Sequence, residues 1–523
     1  AGCDVRLRLL GGRSGDVARR AYPHKGRFSA APVAHAVYFF DFSTTHRLTR
    51  GSVAMLNTGC WVDGYQTVRR GAWMRILMTQ PLFAWEALED SPSLATIREF
   101  LAAVPDAALL EALSAWRGRG RDDYPVSVLW GTLLLTIVLR HPSIESCLGE
   151  LRRNAGLRAV IGIDSEAGVP RKWNLSRFLD VLGREPHLSL LHGVFDQMLR
   201  RLGQVVSDLG VHTAGDASAL NARREQSKKK GDSRHDLPEP AGGRKEYVDA
   251  AGRVTHVVEW FGYKFHLLVD VKHEVILAYR ITSTKTADSD ALPEVLDSAQ
   301  ANLPARRIRT LAFDKAADDV KTHELLHARG IRPVIQNRAL WKEELERLLP
   351  GHGADTNMVH DEAGTMYCYD KVSDPPVRYP MSYIGHEPAR GTLKYRCPAR
   401  HQGWPCRSEK VCNAGKDYGL TVRVKQEIDL RRFPPIPRAT KQFERLYKGR
   451  TAVERVNARI KVFWGADDGN IVGARRFHAH LGAVMVAHAG MATLLASAPR
   501  HEGTLGKMRL TTIAQALRHK RLA

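Results

Sequence analysis

The chain has 523 residues and 44% hydrophobic content, enough for two to four domains with packed cores, which excludes a disordered or low-complexity protein. Lys and Arg outnumber Asp and Glu by 78 to 56, a net charge of +22. That excess points to a polyanionic partner, most simply nucleic acid, with anionic membrane as the other class.

Seven scattered cysteines, an odd number, argue against a secreted disulfide framework. The chain opens on Ala1, which leaves open a missing start or a removed initiator Met, and no signal peptide is expected. Residues 1–95 show little periodicity and are assigned to no domain; within them FSAAPVAHAVYFFDFSTTH predicts one or two strands. From 96 the pattern turns helical. IREFLAAVPDAALLEALSAWR, PVSVLWGTLLLTIVLR and SIESCLGELRRNAG carry Pro or Ser near their starts, and NLSRFLDVLG and LSLLHGVFDQMLRRLGQVV follow. Residues 96–205 therefore predict an Arg-rich, all-helical domain, a candidate DNA-binding domain with NLSRFLDVLG as candidate recognition helix.

Near 208 the period changes. LGVHTAGDASAL predicts a strand ending at Asp216, followed by the Lys-rich loop REQSKKKGDSRHDLPEPAGGRKE. VTHVVEWFGYKFHLLVDV and EVILAYRITST predict strands, DALPEVLDSAQANL a helix, and IRTLAFD a strand ending at Asp314. DVKTHELLHARG then predicts a helix and IRPVIQ a strand, so residues 206–340 read as a mixed α/β core. Short β-like runs (TMYCYD, VRYPMSYIG, TLKYRCP, LTVRV) make 341–439 a β-rich insertion, after which the core resumes over 440–500. VSVLWGTLLLTIVL is too short to span a bilayer, and LGAVMVAHAGMATLLASA, which carries His488, reads as a core helix, so no membrane span is expected. A basic tail, 501–523, is expected to be a further phosphate contact or a solvated end.

The stretch YKGRTAVERVNARIK places Tyr447, Arg450, Glu454 and Lys461 at intervals of 3, 4 and 7. On one continuous helix these four fall within about 60° of one another, opposite an apolar stripe of Val453, Val456, Ile460 and Phe463. A solvated charged face has the same pattern. Asp216 and Asp314 end predicted strands, where an Asp is often only a turn or capping residue. Together with Glu454 they form a set of hard oxygen ligands suited to divalent cations, with Arg450 and Lys461 as phosphate contacts. Two such ions stabilise the attacking and leaving oxygens of an in-line displacement.

The Y-(2)-R-(3)-E-(6)-K spacing of Tyr447, Arg450, Glu454 and Lys461, with GDAS around Asp216 and LAFDKAADD around Asp314 upstream, resembles the bacterial insertion-sequence transposases that carry a DDE triad. The resemblance covers roughly 97–497. It implies a ribonuclease H-like core preceded by a helical domain, and metal-dependent cleavage and strand transfer at transposon ends. Asp216, Asp314 and Glu454 would hold two Mg²⁺ ions, with Mn²⁺ as a substitute, and Tyr447, Arg450 and Lys461 would position DNA. The implied partners are terminal inverted repeats, target DNA and a second copy of the chain, in the bacterial cytoplasm at the nucleoid. A nuclease on the same scaffold, or a decayed copy that only binds DNA, are the alternatives. The run Asp314, Lys315, Ala316, Ala317, Asp318 departs from the D-x-G-Y-D of relatives, which puts local packing in question.

Cys368, Cys397, Cys406 and Cys412 all fall in the insertion and are candidate ligands of a structural Zn²⁺, although no C-x₂-C pair is present and reduced core thiols have the same composition. Trp341 and Trp404 could stack on an unpaired base or simply pack.

Overall fold

The computed structural model describes residues 61–68, 71–77, 92–119, 123–223, 236–249, 253–342, 345–352, 356–467, 471–498 and 503–518. The strands expected within 28–46, most of the Lys-rich loop and the last five residues lie outside them. The chain divides into two compact units, 1–82 and 83–523. In the first, strands β1 (Trp61–Val68) and β2 (Gly71–Leu77) pair as an antiparallel hairpin.

Among the described residues of the second unit, seven α-helices precede the central sheet: α1 (Pro92–Ala103), α2 (Ala107–Arg117), α3 (Val126–Val138), α4 (Ile144–Arg153), α5 (Ala155–Val160), α6 (Lys172–Leu182) and α7 (His187–Val205). Ser143 and Asn154 cap α4 and α5, accepting from the amides of Ser146 and Leu157 at 3.1 Å each. These helices were expected to form a domain of their own. Many of their buried side chains, between Phe100 and Leu202, instead share a core with the sheet and the C-terminal helices, while Ile97, Val128, Leu135, Cys147, Leu148, Leu151, Leu157 and Leu175 form a smaller cluster within the helical region. The cause is visible in the sequence: α3 is buried almost all round, and an apolar helix of that kind needs partners on every side.

The central sheet contains β3 (His212–Asn221), β4 (Ala241–Val248), β5 (Val254–Asp270), β6 (Ile276–Thr282), β7 (Thr310–Phe313) and β8 (Arg332–Ile335). Helix α8 (Asp288–Asn302) precedes β7, and α9 (Val320–Ala328) lies between β7 and β8. β5 pairs antiparallel with β3 on one side and with β6 on the other, while β7 and β8 run parallel to β3. The spatial order β6–β5–β3–β7–β8 therefore puts β3 at the centre. The first nine residues of β5 pair with β4 instead, in a stretch the sequence reading left in the Lys-rich loop. At Gly262, where β5 exchanges β4 for its core partners, a Cβ would stand 1.9 Å from the Leu220 carbonyl oxygen, so only glycine allows the approach.

Residues between β8 and the next core helix form the expected β-rich insertion. It consists of two antiparallel sheets. One is ordered β12–β11–β10–β9, from β9 (Arg347–Leu348), β10 (Met358–His360), β11 (Met366–Asp370) and β12 (Val377–Pro380). The other is β13 (Ser382–Glu387), β14 (Thr392–Arg396) and β15 (Thr421–Lys425). Helices α10 (Pro398–Gln402) and α11 (Glu409–Cys412) lie in the β14–β15 connection. The insertion has its own small core of Leu349, Met358, Met366, Met381, Leu393, Tyr395, Val422, Val424 and Phe433.

The chain then returns through α12 (Lys441–Lys448), α13 (Thr451–Ala458), a π-helical turn (Arg459–Phe463), α14 (Ala474–Ala496) and α15 (Leu510–Arg518). Among the described residues α14 alone is long and apolar enough to cross a membrane, but 89% of its apolar window is buried inside the protein, as a core helix requires. Its His488 is fully buried, accepts the Ile276 amide at 2.9 Å through Nε2 and is kept neutral by burial, its pKa lowered to about 3. The expected solvated basic tail differs too: Leu505, Met508, Ile513 and Leu517 are buried in the main core.

Candidate active site

β3 does not end at Asp216. It continues five residues to Asn221, with Asp216 paired opposite Leu267. A carboxylate in the middle of a strand carries no local stop signal, and the polar run misled the reading of that boundary. Asp314 stands immediately after β7, and its side chain caps the following turn by accepting the Ala316 amide at 3.0 Å. The β3–β7 register pairs Ala214 with Ala312. The ladder ends at that pair; Asp216 lies two residues further along β3, and Asp314 one residue past the end of its parallel neighbour β7.

The electrostatics agree with that placement. The Asp216 carboxyl is pushed up to about 6, first by burial and then by repulsion from Asp314 and Asp288, partly offset by the Ala217 amide and Arg450. Asp288 begins α8 and is itself tied to Lys264 at 2.5 Å. The sequence reading missed Asp288 and Lys264, because each is an ordinary strand or helix-start residue until the sheet register brings them near β3.

The signature segment is not one helix. The amides of Gly449, Arg450, Ala452 and Val453 reach back only three residues, at 2.9–3.1 Å, so the chain tightens between α12 and α13. Gly449 is required there: a Cβ would lie 2.7 Å from Val271 Cγ1, on the β5–β6 turn. Thr440 caps the start of α12 by accepting the Phe443 amide at 3.2 Å. Val453, Val456 and Ile460 are buried as expected. Phe463 is not: the π-helical turn rotates it outward, 40% exposed beneath the Arg140 guanidinium, and Trp464 takes the core position.

Each polar member of the segment has an intramolecular partner. Arg450 holds Glu454 at 2.7 Å, with the Glu454 side chain 53% exposed. Tyr447 stacks on Phe443 with centroids 5.7 Å apart, and its hydroxyl pKa is raised by burial. Lys461 donates to the Ala219 carbonyl of β3, and burial lowers its pKa. It is a strut between the π-helical turn and the sheet rather than a free cation. The neighbouring arginines are structural as well, since Arg455 and Arg459 each reach Glu274 of the β5–β6 turn at 2.6 Å. Arg450 and Lys461 lie within electrostatic range of Asp216, and Tyr447 within that of Asp314.

Among the described residues no three His, Cys, Asp or Glu side chains stand in a metal-ligating arrangement. The donor set nonetheless suits a hard divalent cation. The Asp314 carboxylate repels that of Asp216, whose pKa burial raises, and a bound divalent ion would offset that repulsion.

The run from Asp314 departs from the D-x-G-Y-D pattern at Ala316 and Ala317 but keeps its closing aspartate, Asp318. Its fully buried carboxylate accepts from Arg431 and Arg438 at 2.8 Å each, from His323 at 3.0 Å and from the Arg338 amide at 2.8 Å. Burial alone would raise its pKa, but these donors hold it below the ordinary carboxylate value. Asp318 thus fastens both ends of the insertion to the loop that carries Asp314, and the sequence reading had assigned it no part.

The four insertion cysteines lie within electrostatic range of one another: after burial, the other three thiols help push the Cys368 pKa up to about 12. Trp341 lies between the guanidinium groups of Arg347 and Arg432, 4.3 and 5.0 Å from its centroid, and Trp404 packs edge-on to Tyr379.

No curated protein matches the chain. The family model described as transposase DDE domain matches residues 211–489, just over half of the sequence. That span begins one residue before β3 and ends inside α14, so it takes in both aspartates, the insertion and the signature helices. The chain belongs to the DDE transposase family.

Proposed function

We propose that this protein cleaves DNA at the ends of an insertion sequence and joins the freed ends to target DNA, using Asp216, Asp314 and Glu454 on a ribonuclease H-like core. The observation that carries the proposal is that Asp216 on β3 and Asp314, just after the parallel neighbour β7, repel each other electrostatically, while Arg450, which also acts on Asp216, pairs with Glu454. The strand order β6–β5–β3–β7–β8, three antiparallel and then two parallel, supports the fold assignment.

Bound Mg²⁺, or Mn²⁺ in its place, would supply an activated hydroxyl nucleophile and offset charge on the phosphodiester. The protein's residues would act as follows. Asp216 and Asp314 hold the cation on the sheet. Glu454, now paired with Arg450, would be the third ligand, and Arg450 released from it would fork onto a phosphate. Tyr447 orients the DNA backbone, and Lys461 keeps the π-helical turn seated on β3. In cleavage, water oxygen bonds to phosphorus, the P–O3′ bond breaks and a 3′-hydroxyl is left. In transfer, the oxygen of that hydroxyl bonds to a target phosphorus, the target's own P–O3′ bond breaks, and the target 3′ oxygen leaves as a hydroxyl carrying the proton. Neither step needs a side-chain nucleophile.

Lys172, Trp173 and Arg177 are exposed on α6, which supports DNA recognition by residues 96–205. Two ends need two active sites, so the working form is a dimer on DNA in the bacterial cytoplasm. A supercoiled plasmid carrying the element's own ends tests the proposal. The wild-type protein with Mg²⁺ is expected to nick it and insert the ends, and Asp216→Ala, Asp314→Ala and Glu454→Ala to do neither. Nicking without joining would leave a nuclease. Binding without nicking by the unmutated protein would leave a DNA-binding protein only.

A further inference from the structure

We propose that the insertion holds a structural zinc ion on the thiolates of Cys368, Cys397, Cys406 and Cys412, which converge from two separate sheets and the loop between β14 and β15. Cys368 lies on β11 of the four-stranded sheet, and Cys397 directly follows β14 of the three-stranded sheet. Cys406 and Cys412 come from the β14–β15 connection, the latter as the last residue of α11.

Specific hydrogen bonds bring them together. Asp370 is two residues from Cys368, on the same face of β11. Its carboxylate accepts the Arg407 amide and the Ser408 hydroxyl, each at 2.6 Å, which sets Cys406 beside the strand. The Cys412 amide donates to the Ser408 carbonyl at 3.0 Å, so Cys412 follows Ser408 by one helical turn. The Asn357 amide group donates to the carbonyl of Tyr369, next to Cys368, at 2.9 Å and to Cys412 Sγ at 3.9 Å. Asn413, adjacent to Cys412, donates to Cys397 Sγ at 3.6 Å. All four cysteines are free.

Two features go beyond proximity. First, two carboxamide N–H groups are directed at two of the sulfurs. A thiol is a weak acceptor, whereas a metal-bound thiolate is stabilised by such outer-shell donors. Second, the segment 400–419 adopts a defined path with no apolar core of its own. Its buried residues are Ser408 and Gly419, and Val411 is 78% exposed. A small segment without a core needs a cross-link, and a metal ion supplies one. Four thiolates favour tetrahedral zinc. The sulfurs do not yet stand at ligating spacing. Rotation about their χ1 angles is the movement that closes the set around an ion at about 2.3 Å.

The test is elemental analysis of the full chain purified without added zinc. About one zinc per chain is expected, released on titration with a mercurial thiol reagent. Protein grown with cobalt should show sulfur-to-metal charge-transfer bands and the d–d bands of a tetrahedral site. Cys368→Ser and Cys412→Ser should lose the zinc, while Cys147→Ser, in the helical region, should keep it. Asp216→Asn should also keep it, so failure here is separable from failure of the catalytic reading. Zinc-free protein, zinc retained in Cys368→Ser, or an iron–sulfur chromophore would overturn the proposal. If the serine variants do not fold, the cobalt spectrum of the unmutated chain decides.

Discussion

Asp216→Asn should stabilise the protein while removing its chemistry. The Asp216 carboxyl is raised from 3.8 to about 6, mainly by burial and then by its carboxylate neighbours. The difference, 6 − 3.8, is about two units, worth ~3 kcal/mol at roughly 1.4 kcal/mol per unit. Below pH 3.8 the folded and unfolded forms both bind the proton, and ionisation costs the fold nothing. Between 3.8 and 6 the unfolded chain releases the proton first, so stability falls as pH rises, and above 6 the full penalty applies. Asn has the same shape without the charge. In EDTA at pH 7.5 the variant should therefore be more stable by ~1–3 kcal/mol, and the gap should close as pH drops toward 4. Urea unfolding followed by tryptophan fluorescence at four pH values reads this directly. Mg²⁺ should then stabilise the wild type and not the variant. A variant less stable at every pH, or a gap independent of pH, would refute the electrostatic reasoning.

Asp318→Ala leaves Arg431 and Arg438 buried without their counter-charge and should cost about 3–5 kcal/mol in the same unfolding assay. Because the folded pKa of Asp318 is depressed, its stabilising contribution is present above the unfolded value near 3.9 and is lost as pH falls through the folded value. Arg450→Gln removes a cation that lowers the Asp216 pKa, so the acidic limb of DNA nicking should move to higher pH. Lys461→Met breaks the strut to Ala219. It should lower thermal stability while leaving the salt dependence of DNA binding nearly unchanged, whereas loss of a true phosphate contact would reduce that slope by about one.

The sequence made the α/β core legible because strands and helices there differ in hydrophobic period, and the insertion legible because short β runs alternate with turn residues. What it concealed depends on long-range contacts. The stripe 447–461 looked like one helix because spacing cannot register the tightening at Gly449, where a Cβ would meet Val271 of another hairpin. Phe463 fitted the apolar stripe until the π-helical turn moved it outward. AGGRKE read as loop because two glycines and three charges outweigh its pairing with β5. The helical region read as separate because the core it shares with α14 is nearly 300 residues away in sequence. Asp216 and Asp314 are candidates that residue type and context alone can name. The roles of Asp318, Asp288 and Lys264 required the folded arrangement.

The most direct test of the account is Mn²⁺ binding, measured by electron paramagnetic resonance on the wild type and on Asp216→Asn, Asp314→Asn and Glu454→Gln separately. The account predicts that each single substitution weakens binding at least about tenfold, since each removes one ligand of a shared site. Wild-type affinity in Glu454→Gln, the acid now paired with Arg450, would contradict it.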